Sequence, residues 1–198
     1  MAYNKFTFDL LESRFGVRLD ERRGLFEPVP PAAPSDLLTL TLERNLPLVE
    51  GLGTEKARSE FLIAPILSEV RQLTGGQIGL FSGVEFTVDK AAGLLGFCDF
   101  LLSRSSHLLA VRAPVVAVVE AKRENLTGGM AQCLAEMIAA QRFNENRGEP
   151  LETVYGVVTS GTLWRFLRLS GMVAEADLQD YYIEDIEKIL GILVSMVQ

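Results

Sequence analysis

Apolar positions in this chain alternate between helical and strand-like spacing, and Gly and Pro mark the boundaries. Residues 5–15 predict a short helix with Phe6, Leu10, Leu11 and Phe15 on one side. The segment Glu27-Pro28-Val29-Pro30-Pro31-Ala32-Ala33-Pro34 excludes helix and central strand, because four prolines remove donors and fix φ; it reads as a packed appendage or a mobile arm. Ser35-Asp36 then caps a short helix through Leu42, ended by Asn45 to Pro47. After the Gly51-Leu52-Gly53 turn, Thr54 caps a helix over 55–73 that carries Leu62, Ile63, Ile66, Leu67, Val70 and Leu73 on one stripe. Pro65 marks a kink within it.

Three strand-like runs follow, over 77–88, 94–103 and 114–121. The last, Pro-Val-Val-Ala-Val-Val-Glu-Ala, is β-branched and almost wholly apolar, the pattern of a central strand buried on both faces. A helix over 130–144 places Met130, Cys133, Leu134, Met137 and Ile138 on one face. Strands over 154–160 and 163–169 are joined by Gly161-Thr162, and a helix over 183–197 closes the chain. Its segment 189–194 is apolar most of the way around, either as a buried closing helix or as half of a dimer contact. This order implies an α/β architecture with a mixed central sheet flanked by helices. We divide 1–198, a single domain, into an N-terminal extension over 1–50, a core over 54–170 and a helical closure over 171–198.

Composition narrows the picture. A length of 198 residues with 48% apolar content suits one core. The net charge of −7 argues against broad electrostatic capture of nucleic acid, but it leaves room for a local positive groove. No apolar run reaches the roughly 18 residues of a membrane span, and the first residues do not resemble a signal peptide. Cys98 and Cys133 form neither a disulfide framework nor a zinc spacing. A cytoplasmic protein with no membrane partner is the expectation. The chain holds fourteen Arg and only five Lys, and Lys122 is the one lysine with an acid two positions before it.

That acid is Glu120, at the end of the apolar strand. Residues two apart share a strand face, so Glu120 and Lys122 point the same way. In the preceding strand Asp99 shares a face with Phe97 and Leu101, with Cys98, Phe100 and Leu102 opposite. If the two strands pair, two carboxylates and an ammonium converge. Such acids repel unless a cation intervenes, and a hard divalent ion prefers their oxygens. It also lowers the pKa of bound water and neutralises a phosphoryl group.

The run Gly96-Phe97-Cys98-Asp99-Phe100, followed about twenty residues later by Val118-Val119-Glu120-Ala121-Lys122-Arg123, resembles the PD-(D/E)XK nuclease superfamily. It is most similar to the nuclease domain of type I restriction motor subunits and related small proteins. Cys98 stands where that motif has proline. The resemblance covers roughly residues 54–170 and implies a restriction-endonuclease-like core that hydrolyses DNA phosphodiester bonds with Mg²⁺ or Mn²⁺. It implies Asp99, Glu120 and the Ala121 carbonyl as metal ligands with Lys122 assisting the water. It also implies Gln132 as a catalytic-site glutamine and Glu60 as a further metal ligand. Gln132 reads equally as a solvated glutamine, and Glu60 as an exposed rim residue. His107 reads as a hairpin-tip residue, and Arg123, Arg142 and Arg147 as solvated surface. The acidic charge leaves a second expectation, a catalytically weak fold acting as a binding or regulatory module with a protein partner. A homodimer is compatible with either.

Overall fold

In the computed structural model, which describes residues 2–123 and 125–198, the Val115–Ala121 run is a strand in the middle of one mixed sheet with all seven residues buried. Among the described residues the sheet has eight strands. In chain order these are β1 (Arg18–Arg22), β2 (Gly79–Glu85), β3 (Phe97–Ser103), β4 (Val115–Ala121), β5 (Thr153–Thr159), β6 (Leu163–Ser170), β7 (Val173–Asp177) and β8 (Tyr181–Tyr182). Their spatial order is β1-β7-β6-β5-β4-β3-β2, with β8 beside β6. β4 runs parallel to β5, and β1 parallel to β7; the other pairs are antiparallel.

Helices cover both faces, which explains why β4 carries no alternation. On one side lies α5 (Leu126–Asn146), with α1 (Phe8–Phe15) and Tyr3. On the other lie α2 (Asp36–Leu52), α4 (Ala64–Leu73) and α6 (Ile186–Val197). Gly156 of β5 lets α5 approach closely, since a Cβ there would stand 2.4 Å from Met137 Sδ. Among the described residues no helix is long and apolar enough to cross a membrane.

The first fifty residues are woven into this frame. β1 forms the sheet edge, and Tyr3, Phe6, Leu11, Val17, Phe26, Leu38, Leu42 and Val49 are all buried. The proline segment lies across α6 rather than forming a mobile arm. Ala32 N–H donates to Glu187 O at 2.9 Å, and Lys188 Nζ donates to Glu27 O at 2.8 Å. A Cβ on Gly191 would meet Pro30 O at 2.1 Å, so that contact requires a glycine. Ile189, Leu190, Ile192 and Leu193 are fully buried within the chain, which resolves the choice left by their all-round apolarity.

Two helix boundaries depart from expectation. Ser35 caps α2 through Leu38 N–H at 3.2 Å as its sequence predicts, but the helix continues through Pro47 to Leu52. Burial of Val49 and packing of Leu46 on the core outweigh the cost of a missing backbone donor. The expected kink at Pro65 is instead a π-helical turn over Ser59–Ile63 that joins α3 (Glu55–Arg58) to α4, with Pro65 near the start of α4.

Candidate active site

β3 and β4 pair antiparallel in a register that runs from Phe100↔Val119 toward Ser103. Strict alternation fails just before this register begins. Cys98 joins Leu101 in the core on the α5 side, although three positions separate them, while Phe100 packs on the opposite face. The expectation that Cys98 shares a face with Phe100 is therefore corrected. The Asp99 side chain takes over part of the ladder here: Ala121 N–H donates to its Oδ2 at 2.8 Å. That bond ties the half-buried Asp99 to the end of β4.

Glu120 points to the α5 side and is 2% exposed. The Lys122 ammonium, just beyond the strand, donates to Glu120 Oε1 and, at 3.2 Å, to Gln132 Oε1. Gln132 Nε2 in turn donates to Glu136 Oε1 at 3.1 Å. A continuous polar chain thus runs Glu120, Lys122, Gln132, Glu136 between the end of β4 and the first turns of α5. Those turns lie close over Lys122: a Cβ on Gly129 would stand 2.9 Å from Lys122 Cγ. Asn125 caps the helix by accepting from Gly128 N–H at 2.8 Å, so α5 begins four residues earlier than its apolar stripe suggests.

Glu60 is not part of this assembly. Its side chain is half exposed and pairs with Lys56 at 2.7 Å, one helical turn away. Of the two readings of Glu60, the exposed rim residue matches its place in the structure, on the π-helical turn after Ser59. The acid from that helix which approaches the site is Glu55. Its Oε2 accepts from Arg123 N–H at 3.1 Å, and its charge acts on both Asp99 and Lys122.

Glu136 and Glu55 escaped the sequence reading. Glu136 is fully buried, flanked by Cys133 and Met137 of the same apolar face. A charged residue inside an apolar helical stripe was the available signal, because burying a lone carboxylate is costly. Glu55 follows the Thr54 cap and reads locally as an ordinary first-turn acid.

The electrostatics follow from crowding acids out of water. Burial, then the charge of Asp99, pushes the Glu120 carboxyl up to about 7, against the pull of Lys122. Burial and Glu120 raise Glu136 well above the carboxylate range, and Asp99 is raised chiefly by burial. Burial pulls Lys122 down, but its bond to Glu120 and the surrounding acids outweigh that, and its pKa is raised overall. Lys122 is therefore a fixed positive charge rather than a neutral amine.

Oε2 of Glu120 and Oε2 of Glu136 are buried without a hydrogen-bond partner. Among the described residues no group of three or more His, Cys, Asp or Glu side chains is placed to hold a metal ion. One buried oxygen of Glu120 is left unpaired, and carboxylate oxygens are the ligand type that a hard divalent ion prefers. Comparison of the chain with known protein families, curated proteins and solved structures gives no match to any of them.

Proposed function

We propose that this protein is a divalent-metal-dependent deoxyribonuclease with a restriction-endonuclease-like core. The observation that carries the reading is the convergence of Asp99, Glu120, Lys122 and Gln132 at the junction of β3, β4 and α5. Asp99 and Glu120, with the Ala121 carbonyl, would hold Mg²⁺ or Mn²⁺, and Glu55 lies near enough to bias the site electrostatically. The ion, when bound, would supply a water of lowered pKa and neutralise charge on the phosphoryl group.

The chain's own groups have separable tasks. Asp99 keeps one carboxylate oxygen on Ala121 N–H, which fixes the rotation of the other. Gln132 holds the Lys122 ammonium in place, so its positive charge stands beside the bond to be broken and costs no reorganisation there. Glu136 anchors the Gln132 amide from the far side, which settles which end of that amide faces Lys122. Deprotonation of Glu120 near neutrality couples metal capture to pH, because a ligand must shed its proton to bind.

The test is cleavage of plasmid and single-stranded DNA with Mg²⁺ or Mn²⁺, alongside calorimetric metal titration. Wild type should bind metal and cut; Asp99→Asn should lose metal affinity, and Lys122→Ala should retain affinity but lose cutting. Equal cleavage by wild type and Lys122→Ala would remove this reading. A second reading, a regulatory module acting with a protein partner, draws on two observations. The Lys122 ammonium is already satisfied by Glu120 and Gln132, and the chain carries a charge of −7. It predicts a stable co-purifying partner and no metal-stimulated cleavage.

A further inference from the structure

The far end of the same two strands carries a different concentration of charge. β3 leaves the sheet at Ser103 and the chain returns at Val115, and the connection between them walls a cleft of about 980 Å³. The other wall is the C-terminal end of α5. Three arginines line it: Arg104 and Arg112 from the two ends of that connection, and Arg147 at the end of α5. His107 and Ser106 add further donors, and Glu149 is the single acid in the lining. In a chain with seven more acids than bases, this local excess of cations is against the background.

What these guanidinium groups already bind is informative. Arg104 Nε donates to the Val197 carbonyl at 3.3 Å, and the Arg147 guanidinium lies 5.3 Å from the centre of the Phe143 ring. Among the described residues none of the three is in an ion pair with a carboxylate, whereas Arg18, Arg22, Arg142, Arg165 and Arg168 all are. Arg147 has a partial structural role, since a cation suits the negative end of α5. Arg112 has no such excuse: its side chain is exposed in a loop, and only its backbone carbonyl is used, accepting from Ser103 Oγ.

We propose that this cleft binds a small ligand bearing two or more phosphate groups, such as a nucleoside diphosphate or triphosphate. Planar guanidinium forks match phosphate oxygens two at a time. Three of them set around one concavity, two from the ends of one loop and one from the end of α5, suit a compact polyanion better than an extended strand. The volume lies in the range of small-molecule sites. The cleft stands at the opposite end of β3 and β4 from Asp99 and Glu120, so this site does not depend on the nuclease reading.

The experiment is calorimetric titration of the full chain, in EDTA, with inorganic pyrophosphate, with ATP and with a twelve-nucleotide single strand. Saturable one-to-one binding of pyrophosphate or ATP is expected, weakened at least tenfold by Arg112→Gln and by Arg147→Gln and unchanged by Glu120→Gln. Tighter binding of ATP than of pyrophosphate would assign the nucleoside part to the cleft as well; equal binding would assign the phosphates alone. Arg112→Gln replaces an exposed loop side chain, and its thermal unfolding should match wild type. The proposal is overturned if neither small ligand binds at millimolar concentration, or if both arginine variants bind as wild type does. It is also overturned if only the oligonucleotide responds to these substitutions.

Discussion

Replacing Glu136 by Gln should stabilise the metal-free protein at pH 8 and leave it nearly unchanged at pH 4. Glu136 is fully buried beside Glu120, and its carboxyl is held well above the ordinary range by burial and by that neighbour. A carboxyl whose folded pKa exceeds its unfolded value binds its proton more tightly in the folded state. Its contribution to stability is complete below the unfolded pKa and is lost as pH rises through the folded one. For Glu120, a rise from 4.5 to about 7 corresponds to about 3 kcal/mol lost between those pH values. Glu136 is shifted in the same direction, by burial first and then by Glu120, so its contribution too is lost as pH rises above the unfolded carboxyl value. Gln copies the neutral acid in shape and keeps an oxygen for the Gln132 amide, so the variant removes this one titration and retains that of Glu120. Urea unfolding at pH 4, 5, 6, 7 and 8 in EDTA measures the effect directly. The two stability curves should meet near pH 4 and diverge steadily as pH rises to 8, with the variant higher. Curves that stay parallel across that range would show that Glu136 does not take up a proton on folding.

Gly129→Ala should press its new methyl on Lys122 Cγ, 2.9 Å away, and lower DNA cleavage by about ten- to a hundredfold with metal affinity retained; steady-state cleavage beside metal titration checks this. Asn144 is buried and bonds both the N–H (2.7 Å) and the C=O (2.8 Å) of Val115, so Asn144→Ala should cost about 3 kcal/mol in urea unfolding through two abandoned backbone groups. Gly156→Ala would drive a methyl into Met137 Sδ and Cys133 Sγ and should cost about 1–3 kcal/mol by forcing α5 from the sheet, read as a fall in Tm.

Much of the frame was legible because its physics is local. The unbroken apolar run of β4 predicted a strand covered on both sides, and α5 and α6 cover it from opposite faces. Ser35 and Thr54 announced helix starts through their side-chain oxygens, and each accepts the expected backbone N–H. Glu120 and Lys122 were legible for a similar reason: a two-residue spacing at a strand end sets a common direction whatever the rest of the fold does.

Pairing across long stretches of sequence was not legible. β1 reads as Arg-Leu-Asp-Glu-Arg, with no apolar alternation to mark it, and it is a strand only because β7 offers an unpaired edge more than 150 residues later. The proximity of Glu55 to the site was not legible either, because it depends on how its helix docks near Arg123, 68 residues later. Glu136 drew no reading from sequence, because only the packing of α5 on β4 brings Gln132 and Glu120 beside it. Sequence by itself determined element type and side-chain direction, which depend on neighbours a few residues away. Tertiary structure alone decided which acids share one water-poor volume, because that depends on strand register and helix docking between distant segments.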